Sequence, residues 1–179
     1  SPEDRIVMIR NNSNRNRFDH NTMLRNISFG MVIILPEDRD SSFGYSHDNR
    51  FDHNVFKDIQ TSPNGYGRIP LQFGQTVNHT IDETRALVDH NIFMNLGQSA
   101  VNSKSTNETY LDNYFKDIKY SSGISMRAGD KKRVERNYFE NVLRPIKING
   151  ENHIIANNIF VNALDFAVAV TAWGTFVGD

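Results

Sequence analysis

One short pattern, Asn-x-Phe with Met in the first copy, constrains the fold of this chain more than any other feature. It stands at Asn21-Thr22-Met23, Asn54-Val55-Phe56, Asn91-Ile92-Phe93, Asn113-Tyr114-Phe115, Asn137-Tyr138-Phe139 and Asn158-Ile159-Phe160. Four residues after the repeat Asn comes Asp58, Asn95, Asp117, Asn141 or Asn162; the first copy has Arg25. Successive repeat Asn residues are 33, 37, 22, 24 and 21 positions apart. A period of about 22 with two longer intervals marks a solenoid in which two coils carry insertions.

Between the markers, apolar residues alternate or form short β-branched runs, as in Arg144-Pro-Ile-Lys-Ile-Asn149 and Ala167-Val-Ala-Val-Thr171, and no stretch keeps a helical period. The pattern predicts an all-β chain: a single-stranded, right-handed parallel β-helix of about six or seven rungs, one domain over residues 1–179. It also accounts for the 22 Asn residues in a chain only 38% hydrophobic. A side-chain amide can stack on the amide of the next rung and bond the turn backbone, and Asn tolerates left-handed backbone angles. The Phe two positions on would point the same way and stack inside the coil.

Polar, Gly- and Pro-containing stretches around residues 36–46, 61–67 and 75–84 are expected to be loops bulging from the solenoid. The chain begins close to a repeat and ends in a strand-like segment at residues 171–179, so the coil ends are expected to lack caps. Either the chain is a segment of a longer protein, or another chain covers the ends by association through exposed parallel edges.

A formal net charge of −1 argues against a general nucleic-acid or membrane-surface binder. The longest apolar run, Met31 to Leu35, is too short to span a bilayer, and residues 1–5 do not form a signal peptide. The absence of Cys excludes disulfides, a thiol nucleophile and thiolate metal sites. No serine-nucleophile elbow, phosphate loop or His/Glu zinc spacing appears. His20, His53 and His90 share one repeat position and read as turn or stacking residues rather than ligands.

The cations are more informative. Lys104 lies nine residues before Asn113, Arg127 ten before Asn137 and Lys147 eleven before Asn158. In a coil these offsets put three cations on nearly the same face of successive rungs, about 4.8 Å apart. Such a column repels itself and suggests an anionic ligand, with ordinary solvated charge as the alternative.

The residues around these cations, Ser103-Lys104-Ser105, Gly123-Ile-Ser-Met-Arg127-Ala-Gly-Asp130 and Ile148-Asn-Gly150-Glu-Asn-His153, with Arg50-Phe-Asp-His-Asn54, resemble polysaccharide lyase family 6. That family holds alginate lyases and the dermatan-cleaving chondroitinase B, and the resemblance runs from about Arg17 to Gly174. It implies Lys104 as catalytic base, Arg127 as catalytic acid and Lys147 as a substrate-binding residue. Arg144 and Tyr66 are candidate subsite residues equally open to a packing role, as is Trp173.

Many family members bind calcium through acidic residues seven and five positions before the lysine; here Gly97 and Ser99 stand there, and Asn64 is the third candidate ligand. The expectation is therefore no metal and no cofactor. The His that often follows the family's arginine is Ala128 here. The implied partner is an anionic polysaccharide, alginate first and dermatan sulfate second, and the implied location is secreted or periplasmic. The alternative readings are a uronan C5-epimerase and a non-catalytic polysaccharide-binding β-helix of adhesin or tailspike type.

Overall fold

A computed structural model of the chain describes residues 6–10, 12–25, 32–35, 46–61, 68–74 and 83–171. Every element among them is a strand, and every strand pairing is parallel. Each complete rung has three strand segments. In one rung these are Leu87–Asp89, Ile92–Leu96 and Val101–Ser103; in the next the second and third segments merge into the bent strand Tyr114–Met126. The first segments stack as a six-stranded sheet, and the others form the two remaining walls. The chain is a parallel β-helix, coiling in the right-handed sense of parallel crossovers.

The repeat explains the stack. Asn54, Asn91, Asn113 and Asn137 are buried, and each Oδ1 accepts both the backbone N–H and the side-chain amide of the repeat Asn one rung earlier, at 2.9–3.0 Å. Asn158 closes the series by accepting from Asn137. Each amide also donates to a carbonyl of the preceding rung, as Asn113 Nδ2 does to Val88 O at 2.8 Å. The buried repeat amides are thus satisfied from rung to rung.

Two residues on, Phe56, Phe93, Phe115, Phe139 and Phe160 stack face to face with ring centroids 4.6–5.4 Å apart. Phe51, Val88, Tyr110 and Val134 from the first wall and Leu71, Val101, Ile124 and Ile146 from the third complete the core.

The left-handed angles do not fall on the repeat Asn, as the sequence suggests, but on its neighbours. His20, His53, His90, Asp112, Arg136 and Asn157, one residue earlier, have φ of 54–57°, and Arg25, Asp58, Asn95, Asp117, Asn141 and Asn162, four residues later, have φ of 50–57°. The repeat amide must stay aligned with its rung neighbours, so the chain turns on either side of it. The three histidines stack on one another at 4.9 and 5.0 Å, and each ring lies within hydrogen-bond reach of the Asp before it. They are turn and stacking residues.

The three expected loops lie almost wholly outside the described residues, as do Tyr66, Asn64 and Trp173.

Candidate active site

The third wall carries the site. Its strands Leu71–Phe73, Val101–Ser103 and the end of Tyr114–Met126 run in register, so Phe73, Ser103 and Met126 align and point into the coil. The next residue on each rung leaves the wall at a turn. Lys104 N–H donates to Phe73 O at 2.8 Å, Arg127 N–H to Ser103 O at 2.7 Å, and Asn149 N–H to Met126 O at 2.9 Å. Lys104 and Arg127 are therefore axial neighbours, one rung or about 4.8 Å apart in backbone. On one side lies Gly74, whose missing side chain would touch the Lys104 backbone at 3.1 Å. On the other lies Asn149, whose Nδ2 donates to Arg127 O at 3.1 Å.

Both cations are half-buried. Burial, and then the neighbouring Arg127 charge, hold the Lys104 amine below the ordinary lysine value of 10.5. A lysine so placed is neutral more often than a surface lysine at the same pH, and its lone pair can accept a proton.

Lys147 is not the third member of this column. It pairs with Ser125, two positions before Arg127, and Asn149 takes the expected place. The equal-offset argument fails because the Arg127 rung has one extra residue in its turn and the Asn149 rung does not: Lys104, Arg127 and Asn149 lie nine, ten and nine residues before their repeat Asn. Lys147 stays on the same outer face but is 2% exposed, in register with Gln72, Asn102 and Ser125, all buried. Arg144 pairs in register with Ser122 and donates to Asp165 at 2.8 Å, which partly neutralises it.

The family's calcium does not fit these residues. A Cβ on Gly97 would lie 2.6 Å from the backbone N of Thr61, so no carboxylate-bearing side chain can occupy that position without moving the adjacent rung. Ser99 is buried and shares a 2.8 Å hydrogen bond with Ser121. Among the described residues, no three His, Cys, Asp or Glu side chains gather as a metal site.

The family's Gly-x-x-His stretch has a structural part here. Lys132 N–H donates to His153 Nδ1 at 3.2 Å, and His153 Nε2 faces Asn149 O at 3.2 Å, an arrangement that suits the neutral ring protonated on Nε2. Burial, and then the Lys132 charge, lower its pKa from 6.5. The unfolded chain therefore binds the proton first, so this group's contribution is complete above pH 6.5 and is lost as pH falls through the lower folded value. Urea titrations should show stability declining from about pH 6.5 downward. The His153→Gln variant, which can keep both hydrogen bonds without titrating, should show a flatter profile over that interval.

The family model for chondroitinase B matches residues 2–169, nearly the whole chain. The chain belongs to the chondroitinase B family. The lyase-family resemblance and the parallel β-helix read from the sequence both stand, and membership makes the chain a polysaccharide lyase by family, with an anionic polysaccharide as substrate class. No curated protein matches it.

A feature of this chondroitinase B family chain that the sequence does not disclose lies just behind the two cations. Glu108 and Lys132 are both fully buried, with Oε2 and Nζ 3.9 Å apart. In the sequence Lys132 is indistinguishable from its exposed neighbour Lys131.

Proposed function

We propose that the chain cleaves a 1,4-linked uronate polymer by β-elimination without calcium, with Lys104 as base and Arg127 on the acid side, stabilising the developing charge and, with water, supplying the proton of the leaving oxygen. The observation that carries this reading is the placing of Lys104 and Arg127 on successive rungs, where burial and the Arg127 charge hold the lysine toward its neutral form. Neutral Lys104 would take the C5 proton of the uronate. The electron pair left at C5 forms the C4–C5 double bond as the C4–O4 bond breaks. O4 departs with the neighbouring sugar and takes a proton from a water held against the Arg127 guanidinium, ending as a new reducing-end hydroxyl, and the hydroxide left behind is neutralised by the proton that Lys104 took from C5. Removing a proton next to a carboxylate builds negative charge on C6, and a fixed guanidinium close by stabilises it.

Alginate is the first substrate proposed. Among the described residues of this face Lys147 is buried and Arg144 is paired with Asp165, which leaves Lys104 and Arg127 as the cations for recognition, a set suited to one carboxylate per residue. Dermatan sulfate is the second reading, favoured by the name of the matched family. Such polymers lie outside the cytoplasm, so the proposed location is secreted or periplasmic.

Incubation with poly-mannuronate, poly-guluronate and dermatan sulfate, each with and without chelator, tests the reading. The expected result is chain cleavage with unsaturated ends from a uronan, at a rate the chelator leaves unchanged. Inverted C5 without cleavage would make the chain an epimerase, and binding without either product would make it a non-catalytic module. Gly97→Glu should not create calcium dependence. It should lower stability by about 1–3 kcal/mol through overpacking against Thr61, read by urea unfolding with and without calcium.

A further inference from the structure

A charged pair sealed inside a β-helix is an expensive way to stabilise it. Replacing a buried ion pair by apolar groups of equal volume is often neutral or stabilising. Glu108 and Lys132 are nevertheless both 0% exposed, and three of the four other side-chain hydrogen bonds that they make among the described residues go to the two turns that carry Lys104 and Arg127. Glu108 Oε1 accepts from Ser105 Oγ, the residue after Lys104, and from Thr84 Oγ1 at 2.9 Å. Lys132 Nζ donates to Ala128 O and, at 3.1 Å, to Gly129 O, the carbonyls of the two residues after Arg127. Glu108 Oε2 has no hydrogen-bond partner and faces the Lys132 charge at 3.9 Å.

The turns themselves are pressed together. A Cβ on Gly129 would run into Ser105 O, and Gly129 has φ +76°, a conformation that residues with a side chain rarely adopt. Asn107 N–H donates to Asp130 O at 3.0 Å and Asp130 N–H to Thr106 Oγ1 at 3.2 Å. Lys132 turns the carbonyls of residues 128 and 129 inward, where without a cation they would be unsatisfied acceptors. That fixes the peptide planes of residues 128 and 129, while the Ser105–Glu108 bond anchors the side chain that follows Lys104.

We infer that Glu108 and Lys132 are positioning residues: an internal ion pair that clamps the two turns and sets the approach of Lys104 to Arg127. The inference rests on the proposed roles of those two cations.

The test compares wild type, Lys132→Met, Glu108→Gln and the double variant. The single variants leave a buried partner uncompensated and should lose stability; the double variant should regain most of it, because it removes both charges. Turnover on the uronan that wild type cleaves should not return with stability. In the double variant kcat should stay about 10²-fold down with KM nearly unchanged, the cost of a misplacement of the order of an ångström. A double variant that regains both stability and kcat would overturn the inference.

NMR titration of the isotope-labelled Lys104 side chain gives a readout that needs no turnover. Because the double variant removes one charge of each sign, a rise of the Lys104 pKa toward 10.5 there reports looser geometry, and an unchanged value overturns the clamp. If wild type cleaves no uronan, the lyase reading falls while this titration still decides the clamp. If Lys132→Met does not fold, the double variant carries both measurements.

Discussion

Replacing Lys104 with alanine is expected to lower kcat by about 10²–10⁴-fold, the range that a positioned general base supplies. The thermal midpoint should hold or rise, because one of two neighbouring like charges is removed. Lys104→Arg should be as inactive as the alanine variant, since a guanidinium cannot become neutral to accept the C5 proton. The wild-type rate should rise with pH as Lys104 loses its proton and level off below the ordinary lysine range, because burial and the Arg127 charge favour the neutral amine. Arg127→Ala removes one of those two causes. It should move the rising limb to higher pH as well as lower kcat by about 10²–10³-fold through lost charge stabilisation. Full activity in Lys104→Ala would remove the base from the mechanism, and an unmoved pH limb in Arg127→Ala would break the link between the two residues.

The largest effect on stability is expected in the aromatic stack. Phe115 is 0% exposed, 4.9 Å from Phe93 at an interplanar angle of 7° and 4.6 Å from Phe139 at 8°. Phe115→Ala removes a whole ring between two others and leaves a cavity that the rung spacing, held by backbone and Asn-ladder bonds, cannot close. The expected loss is about 3–5 kcal/mol by urea titration. Tyr120, 78% exposed on the same strand, provides the control, and Tyr120→Ala should change stability by less than about 0.5 kcal/mol. A loss below about 1 kcal/mol at Phe115 would mean that the stack contributes less than its burial indicates.

The solenoid was legible because its repeat in sequence is its repeat in space. An Asn that must bond the Asn of the next rung has to recur once per rung, and Phe115 must follow Asn113 by two for both to face inward. Backbone angles were less legible. The left-handed positions fall on His90 and Asn95 rather than on Asn91, because the stacked amide ties Asn91 to its rung and displaces the turning to either side.

The cation pair was half legible. Lys104 and Arg127 could be aligned by counting from the repeat Asn, but Lys147 could not, since turn lengths vary by a residue between rungs and register is held by the strand. The interior pair was invisible. Glu108 and Lys132 come from different rungs with no shared motif, and only the coil brings them together. The exclusion of a side chain at Gly97 likewise depends on Thr61, a residue of the neighbouring rung.

The most direct test of the lyase assignment is mass spectrometry of the products formed from alginate and from dermatan sulfate in water enriched in heavy oxygen. β-Elimination at Lys104 and Arg127 breaks the C4–O4 bond without adding water. The account predicts an unsaturated uronate at each new non-reducing end and no heavy oxygen incorporated at the moment of cleavage. Saturated ends carrying one heavy oxygen per bond broken, or intact polymer in every reaction, would contradict it.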